Sequence, residues 1–536
     1  MADEQALQKN LMRRATFGDQ LRRHARKMGE KSHIISYDIT GKRTEYSYKQ
    51  MNQMSCRVAN ALTKLGIKKG DVVAVMSHNS PHYAMTWFGC CKIGAIMTGI
   101  NFMYRGEEIE YQANHSEAKL IVVEGNLTDR FGSIKNNLTH TKHYVCSNIT
   151  GTRTPAGWID FDELISANQP DQEPEVEIID EDVAFLVYTS GTEARPKGVL
   201  IPHRNYFSST ALSFILDVRM RREEISLFMI PFYAIAGIGT FTALTLAGST
   251  LVLPYQVDAP LALKILENEK VTMCSQTPTF FLKLMQEPNF EKANLSSIRT
   301  CNTYGGLMSR QVLETWNKKA PDIVWGTYWG QAELSQLGTV GWFKTLEEIP
   351  NGDPSWIGKP VTTLEIRVVD DNGKDVAPGE VGELICRSPS AMIGYYKDPQ
   401  RTEDVFRDGW VHTGDLVRID ADGNLFFFDR KKDMIKTGGI NVSSFEVEDV
   451  LYRYPDLAEV AVVGLQDPYW SEIIVAAVVP RPGTEVKEEA IKKFCQEKMA
   501  AYKVPKKVFV VKQLPKDAQG KILKRELRKQ LSNLPA

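Results

Sequence analysis

From Tyr48 the chain alternates segments of helical period with short, uninterrupted apolar runs, and this alternation narrows the fold more than any other feature. A helix over Met51 to Leu65 is followed by a turn at Gly66 to Asp71, the strand VVAVM (Val72 to Met76), a helix from Pro81 to Ile93 and another short strand. A strand apolar at every position has no face to give to water, so it belongs in a parallel sheet covered on both sides. Further apolar runs lie at Lys119–Glu124, Val183–Tyr188, Ser226–Ile230 and Thr250–Leu253. Near Ile366 the texture changes to short strands punctuated by DDNG, DPQ and DADG, which predicts a β-rich lobe at about 360–430. Beyond Arg430, helices at Ser444–Tyr454 and Lys487–Ala500 and strands near Val460–Val463 and Ile474–Val479 restore a mixed pattern. The expected fold is α/β. A large N-terminal domain of doubly wound sheets, residues 1–430 with its β-rich sublobe, precedes a smaller α+β C-terminal domain, residues 431–536. Residues 1–30 read as one helix with a solvated basic face.

Composition excludes several classes. With 65 basic and 66 acidic residues among 536 and 43% apolar positions, the chain is neither disordered nor fibrous. A net charge of −1 without a long basic block argues against coating nucleic acid, so an anionic ligand must be held locally. Residues 431–536 carry 19 basic and 14 acidic residues, a net +5, which leaves −6 for the rest. The longest uncharged stretch, Ile225 to Val257, is broken by three glycines and two prolines and reads as buried core, not a membrane span. The polar, acid-containing opening lacks the apolar centre of a secretory leader. Eight scattered cysteines form no CxxC pair or zinc spacing, and they read as buried thiols of a reducing, cytoplasmic compartment. Oligomeric state stays open, a homodimer included.

The most informative segment is DVAFLVYTSGTEARPKGV, Asp182 to Val199. A buried strand runs into Thr189, Ser190, Gly191 and Thr192, and Lys197 follows. Glycine lets backbone N–H groups turn towards an anion, hydroxyls add donors, and lysine adds a compact positive charge, which together suit a phosphate. The spacing is not that of a Walker loop, and Lys197 leads into a β-like VLI rather than a helix. Taken alone, such a pattern is more often a polar surface turn.

Its wording, however, resembles the signature of the acyl-adenylate-forming superfamily, which includes acyl-CoA synthetases, firefly-type luciferases and nonribosomal peptide adenylation domains. The resemblance continues in order through YSYKQMN, LGIKKGD, PFYAIAG (Pro231 to Gly237), YGGLMS (Tyr304 to Ser309), WGQAE (Trp329 to Glu333), GELICRSPSAMIGYY (Gly382 to Tyr396), VHTGDL (Val411 to Leu416), DRKKDMIKTGGINV (Asp429 to Val442) and GKILKREL (Gly520 to Leu527). It implies that Thr189 to Thr192 and Lys197 hold the phosphates of ATP. Gly305, Gly306 and Trp329, with Gly330, Gln331 and Ala332 beside it, would form the adenine slot. Glu333 would bind Mg²⁺, and Asp415 and Arg430 would hold the ribose. Tyr233, Ala234 and Tyr304 fall in the acyl-pocket motifs. Lys521 takes the place of the catalytic lysine of acyl-AMP formation. A C-terminal domain rotating about Lys432 would then exchange it for Lys436, with Gly438 and Gly439 leaving room for the pantetheine arm of CoA.

Three positions depart from the family's pattern. Glu193-Ala194 replaces Thr-Gly after the phosphate loop, Ala332 replaces the threonine before the magnesium acid, and Tyr233-Ala234 replaces an aromatic-His pair. The last leaves apolar space, which favours an aliphatic or bulky acid over a small aromatic one. The resemblance therefore implies an ATP-dependent acyl-CoA synthetase of fatty acid metabolism, using ATP, Mg²⁺ and CoA on a medium-to-long aliphatic or bulky apolar carboxylate. The other readings are an acyl-AMP ligase loading a carrier protein and a catalytically weak nucleotide-binding protein.

Overall fold

The computed structural model describes all residues except Met1, Ala167, 190–194, Val257, 304–309, 518–519 and 533–536. The chain divides into two compact units. The first comprises Met1–Gly352, Gly358–Glu365 and Arg387–Val411, and the second Asp353–Ile357, Ile366–Cys386 and His412–Ala536.

The first unit holds the parallel sheet expected from the apolar runs. Its eight strands lie in the order Gly394–Tyr395, Lys197–Pro202, Val183–Thr189, Ile96–Gly99, Val72–Met76, Leu120–Glu124, His143–Ser147 and Ile159–Asp160. The pairings from Val183–Thr189 onward in that order are parallel, whereas Val183–Thr189 and Gly394–Tyr395 both run antiparallel to Lys197–Pro202. Every residue of Val72–Met76 and Leu120–Glu124 is buried. The following helix, Pro81–Ile93, is bounded by local chemistry: Ser80 accepts from the Tyr83 N–H, proline opens the first turn, and Gly94 ends it at φ 68°.

A second mixed sheet runs through Thr339–Phe343, Val324–Trp329, Thr300–Thr303, Met273–Gln276, Ile225–Leu227, Thr250–Pro254, Ser32–Tyr37 and Arg43–Ser47. The uncharged stretch contributes two of these strands and the helix Ile235–Ala247, buried along nearly its whole length. Among the described residues no helix is long and apolar enough to cross a membrane. All eight cysteines are buried.

The N-terminal thirty residues form two helices, Ala2–Arg13 and Phe17–Met28, not one. Thr16 caps the second helix by accepting from the Asp19 N–H. Asp19, 1% exposed, takes Arg14 Nε at 2.8 Å and Arg22 Nη2 at 2.9 Å. The expectation of a wholly solvated basic face fails because this buried carboxylate draws two of the arginines onto itself.

The strands Glu365–Val369, Val381–Arg387, Trp410–Ile419 and Leu425–Arg430 lie in the second unit except for Glu365, Arg387, Trp410 and Val411 at their ends, and they are neighbours in one sheet. A five-stranded sheet follows, centred on the long antiparallel pair Leu457–Asp467 and Ser471–Pro480. Alternate residues of that pair serve two cores. Val460, Val462, Ile474 and Ala476 meet Val447, Leu451, Ile491 and Cys495, while Ala461, Val463, Val475 and Ala477 meet Leu527 and Leu531. Leu527 and Leu531 anchor the helix Lys524–Ser532 and so fix the chain just after Lys521.

Candidate active site

Strand register assembles part of the expected phosphate site in the first unit. Thr189 and Lys197 are Cα partners across the antiparallel pair that flanks the Ser/Thr/Gly loop. Ser190, Gly191, Thr192, Glu193 and Ala194 lie outside the described residues, as do Tyr304, Gly305 and Gly306 of the expected adenine and acyl walls. Tyr395 is the Cα partner of Val199 on the other edge of the lysine's strand, and Lys197 Nζ sits 5.1 Å from the centre of the Tyr395 ring.

Glu333 arrives on a hairpin. Strands Val324–Trp329 and Thr339–Phe343 pair up to Trp329 and Thr339, and the connection between them contains one short turn, Ala332–Leu334. Trp329 and Ala332 are buried. Gly330 is required by close approach, because a Cβ there would lie 1.7 Å from the Gln336 carbonyl oxygen. Two successive non-glycine residues, Ser335 at φ 52° and Gln336 at φ 109°, have left-handed or strained backbone. Such strain persists only where the surroundings enforce it. Here Ser335 Oγ donates to the Ser390 carbonyl, and Gln336 Nε2 donates to Thr240 Oγ1 at 2.6 Å and the Ala236 carbonyl at 3.2 Å. The Met392 N–H holds the Glu333 carbonyl at 2.8 Å, and the Tyr395 hydroxyl donates to Glu333 Oε1 at 2.7 Å. Burial, then the nearby Glu333 charge, push the Tyr395 phenol far above its ordinary pKa, so it stays a donor. Among the described residues no three His, Cys, Asp or Glu side chains cluster as a metal site. A lone carboxylate still fits Mg²⁺, which usually takes one or two carboxylates and completes its shell with phosphate and water oxygens.

The acyl-pocket residues lie among aromatics. The Tyr233 ring makes an edge contact with Phe102 at 5.7 Å, and a Cβ on Gly99 would come within 2.4 Å of Tyr233 Cα. Ala234 precedes the buried helix Ile235–Ala247. Phe102 stacks in turn on His78 at 4.0 Å. His78 belongs to a cluster that sequence reasoning missed: Glu124, with no exposed surface, accepts from the His78 N–H at 2.8 Å, His78 Nδ1 at 3.0 Å, Ser77 Oγ at 3.2 Å and the Tyr255 hydroxyl. Burial alone would raise the Glu124 carboxyl, but its bonds to His78 and Tyr255 and its attraction to His78 hold it below the ordinary value.

The second unit gathers four of the expected residues. Asp415 and Arg430 are directly opposed across the pair Trp410–Ile419 and Leu425–Arg430, and Arg430 Nε lies 3.1 Å from Asp415 Oδ1. Asp415 is fully buried. Lys432 and Lys521 are both exposed. Partial desolvation, then the charges of Arg430 and Lys521, pull Lys432 down to about 8, and desolvation, then Arg430, lowers Lys521. Arg430 thus pairs with a buried carboxylate while its charge also reaches Lys432 and Lys521, a local excess of positive charge that a phosphate would relieve. Lys521 is held from its main chain, its N–H donating to Asp517 Oδ1 at 2.9 Å.

Lys436 belongs to a different feature, the hairpin of Ile435–Thr437 and Ile440–Val442. Gly438 at φ 58° and Gly439 at φ 79° form its two-residue turn, which requires positive φ at both positions. The Lys436 N–H donates to Glu472 Oε2 at 2.7 Å, and the indole of Trp470 packs beneath Gly438.

Residues 21–396 match the family model of the AMP-binding enzyme, and residues 446–521 that of the AMP-binding enzyme C-terminal domain. A feruloyl-CoA synthase of Amycolatopsis sp is 31% identical over 492 residues, 91% of this chain and 94% of the relative. A long-chain-fatty-acid–CoA ligase of Mycobacterium tuberculosis is 32% identical over 488 residues, 91% and 93% of the two chains. Among solved structures, an anthranilate CoA ligase in complex with anthranoyl-AMP superposes with a TM-score of 0.84 at 28% identity, covering 96% of this chain and 97% of that one.

Proposed function

The chain belongs to the AMP-binding enzyme family as an AMP-forming acid–CoA ligase, and from that premise we propose that it activates a medium-to-long aliphatic or bulky apolar carboxylate and passes it to CoA. In the first half-reaction a carboxylate oxygen bonds to the α-phosphorus of ATP and the bond to pyrophosphate breaks. In the second the CoA thiol, losing its proton, bonds to the acyl carbon and AMP leaves.

The observation that carries this reading is the ion pair of Arg430 with buried Asp415, set by their opposed register, with Lys432 two residues beyond Arg430. The carboxylate suits ribose hydroxyls, and fixed cations suit the charge that builds at phosphorus when two anions react. Thr189 and Lys197 would hold the outer phosphates, Trp329 would offer an aromatic face to adenine, and Glu333 would be the carboxylate ligand of Mg²⁺. Mg²⁺ bound with ATP would supply further neutralisation of phosphate charge.

A swing of residues 431–536 about Lys432 would withdraw Lys521 and bring in Lys436 and the glycine turn. Such a swing must break the buried bonds from the Ser444 N–H and Oγ to Asp429 Oδ2, at 2.6 and 2.8 Å. The preference for an aliphatic or bulky acid is supported by Ala234, which puts a methyl group where the family pattern has an imidazole.

The test is pyrophosphate release over straight-chain, aryl and polycyclic acids, with and without CoA. Turnover confined to small aryl acids would refute the substrate class. Accumulation of acyl-AMP with CoA ignored would transfer the reading to a carrier-protein ligase, and no acid-dependent release would leave a nucleotide-binding protein.

A further inference from the structure

Three sequence blocks far apart in the chain converge on one phenol. Gly394–Tyr395 adds to the edge of Lys197–Pro202, which puts Tyr395 beside the strand that begins with Lys197. The Tyr395 hydroxyl reaches Glu333 Oε1 at 2.7 Å, and the main chain three residues earlier holds the Glu333 carbonyl through the Met392 N–H. Tyr395 is itself fixed: its N–H donates to Thr402 Oγ1 at 2.9 Å, its side chain is buried, and Lys197 Nζ lies over its ring. The hairpin that carries Glu333 has strained backbone at Ser335 and Gln336, so it relies on outside contacts for its shape.

We propose that Tyr395 is a positioning residue of this ligase, whose hydroxyl holds one oxygen of Glu333 so that the other is presented to the metal–nucleotide complex while its ring seats Lys197. The proposal rests on the assignment of Glu333 as the Mg²⁺ ligand. A carboxylate on an unsupported hairpin samples several rotamers, and each must be given up when the metal binds. A hydrogen bond from a buried phenol removes that freedom beforehand, as outer partners do at metal sites generally. Seating the lysine on the same ring ties its distance from the phosphates to the position of the metal carboxylate.

The experiment compares Tyr395→Phe, which deletes only the hydroxyl, with Glu333→Gln. Mn²⁺, used in place of Mg²⁺, is titrated by electron paramagnetic resonance against enzyme saturated with a non-cleavable ATP analogue, and thermal unfolding is followed in parallel. Tyr395→Phe is expected to weaken Mn²⁺ binding about ten- to a hundredfold, to leave the KM for the acid within about twofold, and to convert supplied acyl-AMP to thioester at the wild-type rate. If Glu333→Gln weakens Mn²⁺ binding and Tyr395→Phe does not, the role of Tyr395 is overturned while the metal ligand stands. If Glu333→Gln has no effect, the metal assignment fails and this proposal with it. A loss in Tyr395→Phe that lowers the unfolding temperature and damages both half-reactions equally would mark the hydroxyl as merely structural and refute the proposal.

Discussion

Replacing Glu124 by Gln keeps the shape of a side chain with no exposed surface and removes its charge. The carboxylate accepts from the Ser77 hydroxyl, the His78 N–H, the His78 ring and the Tyr255 hydroxyl. An amide has only one accepting oxygen. Its NH₂ must therefore face at least one of these donors, and the His78 N–H cannot reverse its role. Losing charge assistance costs about 1.5–3 kcal/mol, and a buried donor left without a partner adds about 1–3 kcal/mol. Because Tyr255 can rotate its hydroxyl and accept from the amide, the lower half of the combined range applies, and a destabilisation of about 3 kcal/mol is expected.

Urea unfolding of the variant and the parent, followed by tryptophan fluorescence at neutral pH, measures this difference. The pH dependence has a definite sign. Glu124 is held below its ordinary value of 4.5, so the unfolded chain takes up a proton first as the medium is acidified. The stabilisation is complete above 4.5 and is lost as pH falls through the lower, folded value. Parent and variant should therefore converge in acid. A neutral-pH difference under about 0.5 kcal/mol, within the range of a surface substitution, would refute the argument. So would a difference that persists unchanged into acid.

Two further substitutions separate the half-reactions. Lys521→Ala should abolish acyl-AMP synthesis yet convert supplied acyl-AMP to thioester at near-normal rates, and equal damage to both steps would remove Lys521 from its assigned role. Gly438→Ala forces φ 58° on a residue with a Cβ and places that Cβ 2.9 Å from the Trp470 ring. The strain of about 1–2 kcal/mol should distort the turn beside Lys436 and slow thioester formation severalfold more than pyrophosphate release. Single-turnover measurement of each step decides it.

What the sequence determined by itself was local. Uninterrupted apolar runs gave the buried strands at Val72–Met76 and Leu120–Glu124, since such segments have no stable exposed face. Ser80-Pro81 and Gly94 set the ends of a helix through capping and backbone chemistry that need no distant partner. Ordered motifs marked Lys197, Glu333, Asp415 and Arg430 as candidates. The break between the two N-terminal helices also has a local signal, Thr16 three residues before Asp19, which the reading of one continuous helix passed over; what the fold decided is that Asp19 is buried and draws in Arg14 and Arg22.

Tertiary structure decided which residues meet. Asp415 faces Arg430 because of one antiparallel register. Glu124 reaches His78 because Leu120–Glu124 is the neighbour of Val72–Met76 in the sheet. Tyr395 reaches Glu333 because a two-residue strand joins the edge beside Lys197. Strand order and register come from the packing of whole layers, and a one-residue slip would turn every side chain to the other face. Patterns of composition and period carry no record of that choice, so the partners of these carboxylates emerge only when the sheets are assembled.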